Sequence, residues 1–121
     1  MKKTFWIGIA VIALIVIIIY FTSSAKSSPY DEFSQCLTDS GVKMYGAYWC
    51  PHCQSQKKLF GSSWDKINYI ECATSGSNEQ NSVCNAAGIK SYPTWMFPDR
   101  NPISGELSLQ QLSSFTSCPL P

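Results

Sequence analysis

The hydrophobic pattern divides the chain into an apolar head and a body in which apolar residues recur at strand and helix periods. Phe5 to Phe21 is an unbroken apolar run of seventeen residues. As a helix it is roughly 26 Å long, close to a bilayer core of about 30 Å, and it has no polar face to turn to water. After the polar stretch from Thr22, the residues Tyr30, Phe33, Cys36 and Leu37 fall at helical spacing and predict a helix that begins at Pro29 and stops at Gly41. Val42 to Trp49 reads as a buried strand and Pro51 to Phe60 as a helix interrupted by Gly61-Ser62-Ser63,. A second strand is expected from Asn68 to Cys72, a polar loop from Ala73 to Asn78, and a helix from Glu79 to Ala87 ended by Gly88,. Thr94 to Phe97 is a third strand, Pro98 to Pro102 a turn, and Ile103-Ser104 a short fourth strand. Ser108 and Gln111 have the capping-box spacing at the head of a last helix, whose buried face is Leu109, Leu112 and Phe115,. The tail Cys118-Pro119-Leu120-Pro121 cannot continue it.

The order of these pieces gives an organisation. Lys2 and Lys3 precede the apolar run, which argues for a cytoplasmic N-terminus (residues 1–4), a membrane-spanning anchor (5–21), a Ser-rich linker (22–29) and an exported domain (30–121). A cleaved signal peptide is the competing reading, because Ser23-Ser24-Ala25 ends in small residues. The apolar run exceeds the roughly 7–15 residues of such a peptide, so a single-pass anchor in the cell membrane is preferred. Either way the domain lies on the extracytoplasmic side. Six cysteines in so short a chain agree with an oxidising compartment. The net charge of +1, without any basic stripe, gives no reason to expect nucleic acid.

Candidate chemistry is concentrated in Tyr45-Gly46-Ala47-Tyr48-Trp49-Cys50-Pro51-His52-Cys53. A strand runs into a C-x-x-C and a helix follows at once, so Cys50 stands at a strand-to-helix junction. There the positive end of the helix and its free N–H groups favour thiolate over thiol. Pro51 suits the first turn, and His52 adds a polar or cationic group expected to lower the Cys50 pKa further. Cys53, one turn on, can close a disulfide with Cys50. The pair is therefore read as redox-active, with Cys50 and Cys53 catalytic. A zinc site completed by Cys72 and Cys84 is the bland alternative, but those two are separated by eleven residues where zinc pairs usually have about two to four. No metal and no cofactor are expected.

Ile89-Lys90-Ser91-Tyr92-Pro93-Thr94 enters a strand through a proline. Taken with the C-x-x-C, this order resembles the thioredoxin superfamily: an α/β (α+β) fold with a small central mixed sheet flanked by helices, here preceded by one N-terminal transmembrane helix. More narrowly, Met44 to Cys53, Gln56-Lys57, Leu59-Phe60-Gly61, Tyr69-Ile70-Glu71-Cys72, Cys84 and Tyr92-Pro93-Thr94-Trp95 resemble the thioredoxin-like domain fused to bacterial and plant homologues of vitamin K epoxide reductase. The Cys50-Pro51-His52-Cys53 tetrapeptide is similar to the active site of the DsbA oxidases.

The resemblance implies an attacking thiol at Cys50, a resolving thiol at Cys53, a cis bond between Tyr92 and Pro93 beside which substrate docks, and a structural disulfide between Cys72 and Cys84. Cys36 and Cys118 are then left to pair, a free buried Cys36 remaining open. It also implies oxidation of reduced exported proteins and reoxidation by a quinone-coupled membrane partner of the vitamin K epoxide reductase or DsbB type, supplied in trans. Met44 stands six residues before Cys50, where thioredoxins tend to have a buried acid. Proton transfer from Cys53 is thus left to water or Glu71. Trp49 is expected to modulate the site as part of an apolar rim that Tyr48 and Trp95 could share, although Tyr48 and Met44 read better as core, and Lys57 and Lys58 as a solvated helix face. The alternatives in function are a tethered reductase or isomerase and, from another class, a non-catalytic binding module or zinc domain.

Overall fold

The computed structural model describes residues 1–22 and 27–121. The expected cleavage site Ser23-Ser24-Ala25 and half of the Ser-rich linker, residues 23–26, lie outside the described residues. Helix α1, Lys2–Thr22, is long and apolar enough to cross a membrane. Its side chains are exposed from Lys2 to Phe21.

The remaining elements are α2 (Asp31–Asp39), β1 (Lys43–Gly46), α3 (Pro51–Phe60), a 3-10 helix (Gly61–Lys66), β2 (Tyr69–Glu71), α4 (Ser82–Ala86), β3 (Thr94–Met96), β4 (Ile103–Ser104) and α5 (Leu109–Thr116). Four strands form one mixed sheet in the order β2-β1-β3-β4. β1 is parallel to β2, with Met44 opposite Tyr69, and antiparallel to β3, with Met44 opposite Trp95. β4 adds to β3 antiparallel.

Strand alternation sends successive residues of β1 to opposite faces. Met44 joins the larger core with Phe33, Leu37, Phe60, Trp95 and Leu112, whereas Tyr45 joins a smaller one with Cys72, Cys84 and Ile89. Phe60 links the helical layer to the sheet through ring contacts with Phe33, Trp64 and Trp95. The capping box of α5 is formed as its spacing predicts, the Ser108 hydroxyl accepting from the Gln111 N–H and the Gln111 carbonyl from the Ser108 N–H.

Several elements differ from their sequence patterns. β1 ends at Gly46 because Ala47 closes a turn, its carbonyl accepting from Cys50 N at 3.0 Å. Helix α2 begins at Asp31, behind a turn at Pro29-Tyr30. The chain does not stop at Gly61-Ser62-Ser63 but continues as a 3-10 helix, anchored by the Ser63 hydroxyl to Asp31. The expected helix from Glu79 shortens to five residues, because Gln80 pairs with Ala73 in an isolated bridge and Asn81 caps the Cys84 N–H. Phe115 is only half-buried; its ring meets Phe97 edge-on and is covered by Arg100. Tyr48 is exposed, not core, since the turn after β1 carries it outward, and Trp95 is fully buried instead of lining a rim. Met44 is fully buried.

Leu112 is the fully buried anchor of α5. Leu112→Ala should destabilise the protein by about 2–5 kcal/mol, through lost apolar contact and the cavity left behind. Denaturant unfolding would measure it.

Candidate active site

The two unpaired cysteines stand at the start of α3. Cys50 is its N-cap residue, in extended conformation, Pro51 occupies the first turn, and Gln54 N donates to the Cys50 carbonyl at 3.1 Å. Extended strand, short turn and proline-led helix follow from the local sequence, since proline has no N–H to lose there. Cys50 and Cys53 are both buried and unbridged. The other four cysteines form Cys36–Cys118 and Cys72–Cys84. Cys72 and Cys84 thus bind each other and do not complete a zinc site with the C-x-x-C.

Across from the helix end, the turn before β3 carries a cis Tyr92-Pro93 bond. The Cys50 sulfur lies 3.8 Å from the Tyr92 carbonyl oxygen. Pro93 is buried, and the Tyr92 hydroxyl bonds to Gln80. Trp49 stands edge-on to Tyr92 with ring centroids 6.0 Å apart and keeps 43% of its surface exposed. With exposed Tyr48 it forms an apolar margin beside the sulfur. His52 is exposed at the helix start, and its Nδ1 lies 2.7 Å from Glu106 Oε1.

Cys53 sits deeper, 1% exposed, and its thiol is pushed up to about 12. Burial is the main cause; the Ala47 backbone amide acts against it, neighbouring Cys50 adds to it, and the Lys57 charge opposes it. Gly46 allows the sulfur this position. A Cβ there would stand 2.8 Å from the Cys53 sulfur and 3.0 Å from the Tyr69 ring. Tyr69 donates to Glu71 Oε2 at 2.8 Å, while Glu71 Oε1 accepts from Tyr48 N at 3.2 Å and Ala73 N at 2.9 Å. Lys57 is half-buried with its ammonium 4.1 Å from the Tyr69 ring centroid, so it is not a solvated residue like Lys58.

Three participants escape the sequence patterns. Buried Gln56 is one turn past Cys53 on α3 and bonds Leu107 and the Trp95 indole. Glu106 meets His52, and Tyr69 comes against Cys53 and Lys57, only through tertiary folding. Their one signal is polarity inside short, otherwise apolar segments, and it names no partner.

The thioredoxin family profile matches residues 25–116. Thiol-disulfide oxidoreductase LTO1 of Arabidopsis thaliana is 40% identical over 98 residues, which cover 77% of this chain and 26% of that protein. The chain thus spans about a quarter of the length of its curated relative. A crystal structure of the Malassezia sympodialis thioredoxin Mala s 13 aligns at 19% identity with a TM-score of 0.45, covering 64% of this chain and 72% of that one.

The raised Cys53 pKa carries a stability consequence. An unfolded cysteine ionises near about 8.5, so as pH rises from there toward 12 the unfolded state loses a proton that the reduced fold retains, and stability falls. Reduced protein should lose more stability between about pH 8 and pH 10 than Cys53→Ala does, as read by denaturant titration of the full chain in detergent.

Proposed function

The chain belongs to the thioredoxin family, and from that premise we propose that it is a membrane-anchored thiol-disulfide oxidoreductase working through Cys50 and Cys53 on the exported side. The observation that carries the proposal is that the two unbridged cysteines stand together at the start of α3, with the Cys50 sulfur facing the Tyr92 carbonyl. A substrate thiolate attacks the Cys50 sulfur of the Cys50–Cys53 disulfide and expels Cys53. A second substrate thiol then attacks the substrate sulfur of the mixed disulfide and expels Cys50, leaving both enzyme cysteines reduced. The peptide docks at Tyr92 and Pro93, with Trp49 and Tyr48 offering apolar contact to an unfolded chain.

Direction, side and partner rest on separate supports. Lys2 and Lys3 before an apolar helix, and two disulfides in the folded part, support an exported domain behind a single anchor. The sequence resemblance supports oxidation of exported proteins, with electrons passed to a quinone-coupled membrane protein of the vitamin K epoxide reductase or DsbB type.

Trapping tests the assignment of roles. With the full chain expressed in an aerobic bacterial host, Cys53→Ser should accumulate mixed disulfides on Cys50, formed by exchange with the disulfides of partner proteins and left without Cys53 to resolve them, seen as reductant-sensitive species of higher mass, and Cys50→Ser should accumulate none. If Cys50→Ser traps partners and Cys53→Ser does not, the two roles are reversed.

A further inference from the structure

Reoxidation of the pair requires the Cys53 thiol to lose a proton that its surroundings hold tightly. When Cys50 is bound to an oxidant in a mixed disulfide, it cannot accept that proton. Fully buried Met44 brings no acid or base to this side of the sheet.

What faces Cys53 is Tyr69. The Cys53 sulfur lies 2.8 Å, and the Tyr69 hydroxyl oxygen 3.3 Å, from the same point, the place a Cβ on Gly46 would occupy. Both atoms border the room glycine leaves and so lie no further apart than those two distances together, a span that one water can bridge,. The Tyr69 hydroxyl donates to Glu71 Oε2, so its oxygen is turned to accept. Two backbone N–H groups hold the Glu71 carboxylate in place from its other oxygen. Glu71 is half-exposed and so reaches solvent. The remaining charged and titratable groups around Cys53 are Cys50 and Lys57 on α3 and Tyr92 before β3.

We propose that Tyr69 and Glu71 are the proton relay of the resolving cysteine, on β2 in place of an acid on β1. This rests on the reading of Cys50 as attacking and Cys53 as resolving thiol. In the resolving step the Cys53 S–H proton passes to the Tyr69 oxygen, directly or through the water, as Tyr69 passes its own proton to Glu71. The Cys53 sulfur bonds to the Cys50 sulfur, the bond from Cys50 to the oxidant breaks, and the electron pair leaves on the oxidant's sulfur as thiolate. Glu71 then returns its proton to solvent. In the opposite direction the same relay protonates Cys53 as it departs. Lys57, above the Tyr69 ring, favours the thiolate in both cases.

A chromogenic aryl disulfide, dithiobis-nitrobenzoate, separates the steps on reduced full-length protein in detergent. Attack by Cys50 releases the first thionitrobenzoate and resolution by Cys53 the second. In Tyr69→Phe the first phase should keep its rate, while the second should slow roughly 100-fold at neutral pH, the scale of a lost general base. That second phase should then climb about tenfold per pH unit as hydroxide replaces the relay. Glu71→Gln should give the same pattern, and it decides the matter if Tyr69→Phe does not fold. A second phase within about twofold of wild type, with an unchanged pH profile, in the folded variants would overturn the relay. Loss of the first phase in Cys53→Ser, with its retention in Cys50→Ser, would instead overturn the roles of the two cysteines.

Discussion

A single buried amide holds the reactive turn against the sheet. Gln56 is fully buried, and its carbonyl oxygen accepts from Leu107 N at 2.7 Å and the Trp95 indole at 3.3 Å, while its amide donates to Leu107 O at 2.9 Å. An unpaired polar group at such depth would cost about 1–3 kcal/mol, so the bonds must form together and they leave α3 little freedom. They fix the helix to β3 and to the segment before α5. Those two contacts set where the first turn of α3 ends, and with it the distance from the Cys50 sulfur to the Tyr92 carbonyl.

The same turn places its two sulfurs in different surroundings. Cys50, though buried, lies against the Tyr92 carbonyl and next in sequence to the exposed rings of Trp49 and Tyr48. Cys53 is turned inward under β1, where burial disfavours its thiolate. The proposed division of labour, with Cys50 exchanging with partners and Cys53 giving its proton to a local acceptor, rests on this difference. Gly46 makes that inward position possible, since any side chain there would meet both Cys53 and Tyr69.

Much of the fold was legible because its signals are local. The strand-to-helix junction at Cys50, the stop after α2 at Gly41 and the capping box at Ser108 depend on residues a few positions apart, and the structure forms each of them. The apolar stripes of α2 and α5 likewise point to Phe33, Leu37, Leu109 and Leu112, all buried. Boundaries were less legible. β1 is cut short by a backbone turn, and α4 by an Asn cap and an isolated bridge from Gln80 to Ala73, neither of which disturbs the hydrophobic period. Tyr48 and Trp95 exchange their expected places because an apolar residue beside the cysteines reads the same whether a turn or a strand carries it. Glu71 was legible as a candidate for the Cys53 proton, and its place two residues from Tyr69 on β2 puts both on one face of the strand,; the approach of Tyr69 to Cys53 and the pair His52–Glu106 could not be read, since they join segments whose spacing in sequence has no relation to their contact.

Oxidation of exported proteins requires the Cys50–Cys53 disulfide to be a strong oxidant. Its reduction potential, measured on the full chain in detergent by equilibration with glutathione, tests this directly. A value near about −120 mV, like that of DsbA, is predicted, whereas a value near about −270 mV, like that of thioredoxin, would contradict oxidation of exported proteins and make the domain a tethered reductase.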